Sequence, residues 1–483
     1  MTTRRGFLVA SGMGCSPLFS CLLSQRATFP DRALSEIATL DRLQQEIVAM
    51  PYDDSHCHAI SEVDARIDTR TTPDAFLRRI ALSAFPLRNY FPRGVFDRWS
   101  MGDIQTRQQL DEHFRIERIV NEVTYHIRNS VFVTYMVKEM AGYLNCRPIL
   151  EEVIDARNER AKDYYRYMNG LFRDVRVENV MVDTGCCAGL TPAGLRAFET
   201  AIRPATLRPL ARVDQIQDAI LDQDISFEAL ETQFLAAVRQ ALDGNGNFGM
   251  KSYGMKSYLL PDIGLIRPVY DAKVARRSWE EYKRFRGDTG VNGEERDQVE
   301  SRAKELREYL LTLAIEECYK RDMPMQFHSG DGEAPHVILR NQHPYYLEEV
   351  VRSDKDGIMR MPKIIPIHAG YPLIGEAAWL SHLYANCYFE VSLMNPLIGE
   401  GLARRFLEIL EVVPFSKVLF GSDAYDVPEL YWLAGRWGKL YLSLALAKYV
   451  REGIASEEEV LRMAQMILSG NNRRVYNLSD RPS

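Results

Sequence analysis

The sequence predicts an α/β fold, a (β/α)8 TIM barrel with a helical insertion after the first strand. Three strand-like runs each deliver a histidine or an aspartate at their carboxyl end, and they cover 323–330, 362–370 and 417–423. A (β/α)8 barrel keeps its chemistry where strands meet the loops that follow them. With 483 residues the chain is long enough for one such barrel with insertions, or for two domains.

The first strand of the predicted barrel contains a His-x-His motif. Helical spacing over 33–50 ends at Pro51, and the segment 53–58 then supplies His56 and His58, two of the nine histidines. Alternate side chains of a strand share a face, so the two imidazoles project together while the residue between them points away. Two imidazoles placed in this way suit the binding of one metal ion.

Four motifs together resemble the amidohydrolase superfamily, and within it the branch that includes glutamine-synthetase-linked and nodulin-like proteins and metal-dependent decarboxylases. The motifs are His56-x-His58, Gln326 to Gly330, Ile367 to Pro372 and Phe420 to Ala424, and they span most of the chain. The resemblance implies a divalent metal bound by His56, His58 and His328, with Asp423 at the end of the last strand. It also implies that His368 is the acid–base or leaving-group histidine rather than a primary ligand.

The composition is that of an ordinary soluble globular protein. Hydrophobic residues make up 46% of the chain and charged residues 26%, and the formal net charge is −6. The chain lacks the surplus of basic residues that would indicate nucleic-acid binding. The cysteines beyond residue 27 lack the spacing of metal fingers, and they do not resemble a disulfide framework.

Residues 1–27 resemble an export signal. The segment 3–8 is similar to a twin-arginine translocation motif, and an uncharged, moderately apolar run to Ser24 follows it. Residues 18–21 resemble an imperfect lipoprotein box, so Cys21 is a candidate for acylation and membrane attachment. The alternative is a chance arginine pair before a weak membrane anchor. We expect a periplasmic or exported protein, with lipid anchoring left open.

Residues 28–483 are predicted to form the barrel. Within them, 73–174 has helical patterns and is predicted to be an insertion after the first strand, where it would lie over the catalytic face as a lid and specificity element. Further helices are predicted over 226–242 and 300–319. The aromatic helix 430–450 is predicted to close the barrel, with a homodimer interface as the alternative.

The second and third strands are predicted over 177–183 and 207–216. The third contains Arg212 and Asp214, two charges at the period of a strand, which would share a face. On the barrel interior, Arg212 would bind a substrate carboxylate, since guanidinium is a planar bidentate donor. Otherwise the two residues would form a structural ion pair near the rim.

The stretch 249–258 repeats Gly-Met-Lys-Ser-Tyr in tandem. By resemblance, Lys251 lies where the fourth strand of the family ends. In binuclear members a lysine on that strand is carboxylated and bridges two metals, whereas a lysine could equally contact an anionic substrate. We favour substrate binding for Lys251 and expect Lys256 on the rim or in a loop.

The implied ligand set indicates a metal-dependent hydrolase. Imidazoles with one carboxylate suit Zn²⁺, or another late first-row ion, better than Mg²⁺ or Ca²⁺, and we expect about one ion per chain. A zinc ion lowers the pKa of bound water to about 7. Asp423 would accept a proton from this metal-activated water, and His368 would protonate the leaving group or stabilise the oxyanion. The expected reaction is hydrolysis of an amide, lactone or related bond of a small molecule.

Two alternatives stay open. The same residues could decarboxylate or isomerise a small carboxylic acid, with Arg212 or Lys251 orienting the substrate. An alternative of another class is a non-catalytic metal-binding envelope protein, which would give His368 and Asp423 little reason to accompany the metal ligands.

Overall fold

The computed structural model describes residues 31–60, 70–80, 116–185, 190–244, 249–285, 301–330, 339–353 and 362–478. The predicted export signal at 1–27, with the acylation candidate Cys21, lies outside these residues, as does the part of the predicted insertion from 81 to 115. No helix within the described ranges combines the length and the apolar composition that crossing a membrane requires.

Short parallel strands form the centre of the fold. Their bounds are β1 Tyr52–His58, β2 Val177–Asp183, β3 Thr206–Arg212, β4 Met255–Ser257, β5 Met325–Phe327, β6 Ile364–Pro366, β7 Phe389–Glu390, β8 Ser392–Leu393 and β9 Val418–Leu419. β1 to β6 form one sheet in sequence order, and β7 pairs with β9. Helices separate most successive strands, which is the pattern of an α/β protein.

Backbone hydrogen bonds join the two sheets at both edges. Tyr388 N donates to Ile364 O at 2.9 Å, which links β6 to the start of β7. On the other side, Asp423 N donates to His56 O at 2.8 Å, which links the chain after β9 to β1. The strands therefore form a ring, and the predicted α/β class and TIM-barrel-like arrangement are confirmed.

The helices have the following bounds: α1 Asp31–Ala49, α2 Pro73–Ile80, α3 Ile116–Arg128, α4 Val131–Leu144, α5 Leu150–Arg160, α6 Tyr164–Val175, α7 Pro192–Ala201, α8 Val213–Leu221, α9 Phe227–Asp243, α10 Leu259–Ile263, α11 Ala272–Phe285, α12 Lys304–Lys320, α13 Glu348–Val351, α14 Ile374–Leu383, α15 Met394–Leu397, α16 Leu402–Leu410, α17 Pro428–Arg451, α18 Glu457–Gln465 and α19 Asn471–Val475. The predicted helices over 226–242, 300–319 and 430–450 correspond to α9, α12 and α17. The Ser226 side chain caps α9 by accepting from Ala229 N.

Side chains from several strands fill the interior of the ring. Met181, Leu210 and Leu419 are fully buried and pack in one cluster with Tyr476 of the C-terminal segment. Met181 precedes Asp183 by two residues, as Leu210 precedes Arg212, so in each strand an apolar residue and a charged residue share the inward face. The interior is therefore a packed core beneath a charged end.

Two helices of the predicted insertion, α5 and α6, contact the long helix α17. Arg157 on α5 and Glu429 on α17 are fully buried, and Nε and Oε1 lie 2.7 Å apart. The hydroxyl of Tyr167 on α6 donates to the same carboxylate oxygen at 3.0 Å. This part of the insertion is thus attached to the barrel, while its action as a lid stays a prediction.

The third strand ends earlier than predicted. β3 stops at Arg212 and α8 begins at Val213, so Asp214 lies in the first helical turn and does not share a strand face with Arg212. The Asp214 carboxylate accepts from Ser257 Oγ at 3.0 Å. The prediction that Arg212 and Asp214 share a strand face is therefore wrong, because the helix begins at the residue between them.

The fourth strand uses the second copy of the tandem repeat. Lys251 is exposed and precedes β4, whereas Lys256 lies on β4 with only 1% of its surface exposed. Lys256 is aligned with Arg212 of β3 on one side and with Gln326 of β5 on the other. The predicted placement of Lys251 at the end of the strand is wrong, and so is the rim position predicted for Lys256.

Candidate metal centre

Three buried side chains from the first and last strands meet at the carboxyl end of the ring. His56 and His58 lie on β1, and Asp423 follows β9. Asp423 Oδ1 lies 3.2 Å from His56 Nε2 and 3.1 Å from His58 Nε2. One possible ligand atom from each residue lies within 4.8 Å of the other two. The structure thus brings together three of the four predicted metal ligands.

The tautomer of His56 follows from its contact with Gln326 on β5. Gln326 Nε2 donates to Ser55 O at 2.7 Å and to the Tyr476 hydroxyl at 2.6 Å, which fixes the orientation of the amide. The amide oxygen therefore faces His56 Nδ1, 2.7 Å away. Because that oxygen can only accept, Nδ1 of His56 carries the proton and Nε2 presents a lone pair.

The lone pair of His56 faces the carboxylate of Asp423, and this arrangement fits a cation. His56 Nε2 is buried and has no hydrogen-bond partner among the described residues. Burial, together with the charge of Lys256, lowers the pKa of His56 to about 4, so the ring is neutral at pH 7. A lone pair and a carboxylate oxygen repel each other unless a positive charge lies close to both. Neutral imidazoles with a carboxylate are ligands of zinc and related ions.

Replacing Gln326 by leucine is expected to weaken zinc binding about 10- to 100-fold, the usual effect of losing a group that orients a ligating histidine. Leucine is similar to glutamine in size but has no acceptor for the His56 Nδ1 proton. Competition with a chelator measures the change. The matched control is Gln217→Leu, since Gln217 is a buried amide that donates to Arg307 O and does not contact the centre. Unchanged zinc affinity in Gln326→Leu would contradict the assigned orientation.

His368 and His328 lie beside the three converging ligands. The ring centroid of His368, which follows β6, is 5.2 Å from that of His56. His328 follows β5, and its Nδ1 is 3.2 Å from His368 Nε2. The structure does not bring a ligand atom of His328 into the compact group formed by His56, His58 and Asp423. Metal binding by His328 therefore stays a prediction.

Two residues of the site have an unusual backbone. The φ angle is +68° at His368 and +55° at Asp423, both in the left-handed region. This conformation costs on the order of 1 kcal/mol for a residue other than glycine and is frequent at functional sites. Hydrogen bonds offset the cost, since Asp423 N donates to His56 O at 2.8 Å and His368 N donates to Glu390 Oε2 at 3.1 Å.

A second charged group, formed by Asp183, Arg212 and Lys256, adjoins the centre. Arg212 Nε lies 3.2 Å from Asp183 Oδ1, and its Nη2 contacts Oδ2 of the same carboxylate. Lys256 Nζ lies 3.5 Å from Asp183 Oδ2. Burial alone would raise the pKa of Asp183, but Arg212 and Lys256, with a contribution from His58, hold it well below its usual range. The group thus combines two cationic side chains with one carboxylate.

Three buried carboxylates near the centre, those of Asp183, Glu390 and Asp54, have no role predicted from the sequence. Asp183 ends β2, so the rule that chemistry lies at strand ends would have indicated it. Burial raises the pKa of Glu390 to about 7 and that of Asp54 to about 8. Glu390 ends a strand of two residues, which has no readable apolar run, and Asp54 precedes the His-x-His motif on β1.

The chain is similar to known proteins in sequence and in fold. Residues 264–478 match the family model described as amidohydrolase. The protein fluG of Emericella nidulans is 28% identical over 180 residues, which are 37% of this chain and 20% of that protein. The chain thus spans about a fifth of the length of the curated relative that it matches.

Solved structures share the fold at low sequence identity. A protein of Lactobacillus casei, named as a metal-dependent hydrolase, has a TM-score of 0.65 at 19% identity, over 90% of this chain and 97% of that chain. The uronate isomerase of Thermotoga maritima has a TM-score of 0.56 at 13% identity over 90% and 97%. The glucuronate isomerase of Caulobacter crescentus has a TM-score of 0.54 at 14% identity over 94% and 96%. The predicted resemblance to the amidohydrolase superfamily is therefore confirmed, and the match to the family model covers residues 264–478.

Proposed function

We propose that this protein is a metal-dependent hydrolase that acts on an amide, lactone or related bond of a small molecule. The observation that carries the proposal is the approach of the His56 lone pair to the Asp423 carboxylate at 3.2 Å, with His58 Nε2 on the same oxygen. Such an arrangement of buried neutral and anionic donors favours a bound divalent ion. The match of residues 264–478 to the family model described as amidohydrolase also supports hydrolysis.

Zinc, at about one ion per chain, suits these ligands best. His56, His58 and Asp423 would hold it, with His328 as the predicted fourth ligand. When bound, such an ion supplies Lewis acidity, which polarises a carbonyl group and makes a nearby water more acidic. Asp423 would accept a proton at its carboxylate. His368 would transfer a proton at Nε2, the ring nitrogen that faces His328.

A second candidate function is decarboxylation or isomerisation of a small carboxylic acid. The observation that favours it is the presence of two cationic side chains, Arg212 and Lys256, next to the candidate metal centre. A substrate carboxylate would be attracted to these side chains, and a planar guanidinium suits its geometry. Arg212 is proposed to orient such a substrate, as predicted from the sequence. Lys256 now takes the role that we had expected for Lys251, because Lys251 is exposed ahead of β4.

Replacing His368 by alanine is expected to lower turnover about 10²- to 10⁴-fold, the usual contribution of a proton-transfer group, while zinc content stays unchanged. Turnover is measured on panels of amides, lactones and small carboxylic acids, and zinc by elemental mass spectrometry. His382→Ala is the matched control, since His382 is exposed and bonded to the backbone of Val412. The panel that supports turnover separates hydrolysis from the second candidate. Full activity of His368→Ala, or no turnover on any panel by zinc-loaded protein, would refute the proposal.

A further inference from the structure

A buried carboxylate lies behind His368, on the side of its ring away from His328. Glu390 accepts four hydrogen bonds. Its Oε1 accepts from Ser55 Oγ at 2.7 Å and from Ser392 N at 2.9 Å. Its Oε2 accepts from Ser392 Oγ at 2.6 Å and from His368 N at 3.1 Å. Ser392 Oγ in turn lies 2.9 Å from Nδ1 of His368, which connects the carboxylate to the imidazole.

The direction of these bonds fixes where the protons lie. Each oxygen of Glu390 accepts from a backbone N–H, and the ionised carboxylate has no proton to donate, so Ser392 Oγ must be the donor in its bond to Oε2. The single hydroxyl proton of Ser392 is then used in the short bond to Glu390, and the Ser392 oxygen is left as an acceptor. The proton between Ser392 and His368 must therefore be on Nδ1 of His368. Nε2 of His368 keeps its lone pair and lies 3.2 Å from Nδ1 of His328.

We infer that Glu390 and Ser392 are positioning residues that hold His368 in its Nδ1-protonated tautomer, which leaves the lone pair of the ring on Nε2, the nitrogen that faces His328. The inference rests on the proton-transfer role proposed above for His368. Neither residue lies among the predicted metal ligands. Their effect on the reaction is exerted through the imidazole.

The surroundings of Glu390 are consistent with a carboxylate held by hydrogen bonds alone. No lysine or arginine forms an ion pair with it in the described part of the chain, and the titratable groups that face it are His368, Asp54 and Tyr476. Burial raises the pKa of Glu390 to about 7, so the group is ionised at pH 8. The hydrogen bonds from Ser392, Ser55 and His368 offset part of the cost of burying that charge.

The last strand leaves room for this carboxylate. A Cβ atom added to Gly421 would lie 2.1 Å from Glu390 Oε1 and 2.6 Å from Ser55 Oγ. Any side chain at position 421 would therefore displace Glu390 or break its bond to Ser55. The glycine of the Phe420-Gly421-Ser422-Asp423 motif thus has a physical reason that is separate from metal binding.

The test is the tautomer of His368 in the zinc-loaded full chain at pH 8, labelled with ¹⁵N-histidine. Long-range ¹H–¹⁵N spectra distinguish the two tautomers, and the spectrum of His368→Gln identifies the resonances of His368. We expect a single Nδ1-protonated form in the wild type and in Ser392→Thr, which keeps the hydroxyl. We expect this form to be lost in Ser392→Ala, and in Glu390→Gln, because an amide cannot present acceptors to both backbone N–H groups.

Two matched controls remove a buried group elsewhere. Glu308→Gln changes a buried carboxylate that accepts from Arg267 N, and Ser443→Ala removes a buried hydroxyl bonded to Leu440 O. Both should keep the wild-type tautomer. With a substrate in hand, Ser392→Ala should lower kcat about 10²- to 10⁴-fold with little change in KM.

The outcomes separate this inference from the proposed function. An Nε2-protonated or mixed form in the wild type, or an unchanged tautomer in Ser392→Ala, would overturn the inference even if His368 proves catalytic. If the tautomer responds as expected but His368→Ala is fully active, the positioning stands and the proposed function fails. If Glu390→Gln does not fold, Ser392→Ala with Ser392→Thr still decides the question.

Discussion

Replacing His56 and His58 together by alanine is expected to reduce bound zinc from about one ion per chain to none and to lower turnover by at least about 10³-fold. Two of the three converging donors are lost, and a metal contributes several kcal/mol to the transition state, with each 1.4 kcal/mol worth a factor of ten. Elemental mass spectrometry of the purified protein measures the metal, and substrate panels measure turnover.

The control for this double variant replaces two exposed histidines, His126 on α3 and His382 on α14. It should keep its zinc. Retention of zinc by His56→Ala/His58→Ala would contradict the assigned centre. Two ions per chain in the wild type would require further ligands, and Lys256 on β4 would then be the first to examine, in the place that we had expected for Lys251.

Changing Glu429 to glutamine is expected to lower the free energy of unfolding by about 3–5 kcal/mol, because it breaks a buried ion pair by removing the charge of one partner. Both side chains are fully buried, and they connect the predicted insertion to α17. Tyr167 also loses a charged acceptor for its hydroxyl. The midpoint of urea unfolding, at constant m value, measures the loss.

Two further variants test the cause of this loss. Arg157→Met/Glu429→Leu replaces the pair by apolar groups and should recover most of the stability, since well-packed apolar groups can often replace a buried ion pair without loss. Glu458→Gln breaks the surface pair with Arg462, whose side chains are 83% and 58% exposed, and should leave the midpoint unchanged. An unchanged midpoint in Glu429→Gln would show that the buried pair does not support the insertion.

The strands that carry the site could be predicted because local pattern and chemistry agree there. The predicted bounds of the second strand match β2 at both ends. The His-x-His spacing correctly placed His56 and His58 on one face. The apolar runs before His368 and Asp423 likewise end at the site. In each of these cases one short segment contains both the strand signal and the functional residue.

The lysine of the fourth strand could not be chosen from local sequence. The two copies of Gly-Met-Lys-Ser-Tyr have identical intrinsic preferences, so only pairing with neighbouring strands decides between them. Met255 aligns with Met325 of β5. Gly254 allows the chains to approach, since an added Cβ would lie 2.6 Å from Pro324 O. The local sequence therefore contains no physical reason to choose Lys251 over Lys256.

The hydrogen-bond and ion-pair partners of the site residues could not be predicted from the sequence either. Arg212 binds Asp183 of the preceding strand rather than Asp214, and this contact depends on where β3 ends. Glu390 and Gln326 act through hydrogen bonds to residues far away in the chain. Sequence patterns describe the period of a single element, whereas these contacts depend on the register between elements.

The hydrogen bond from Asp423 to His56 places the metal centre across the seam where the first and last strands meet. His58 and Asp423 are 365 residues apart in the chain. At ribosomal rates of 5–20 residues per second, Asp423 is made roughly 20 to 70 s after His58. A nascent chain therefore cannot hold the ion with these ligands until the barrel is nearly complete. Once bound, the ion would stabilise the closed ring by a free energy that rises with the logarithm of its free concentration.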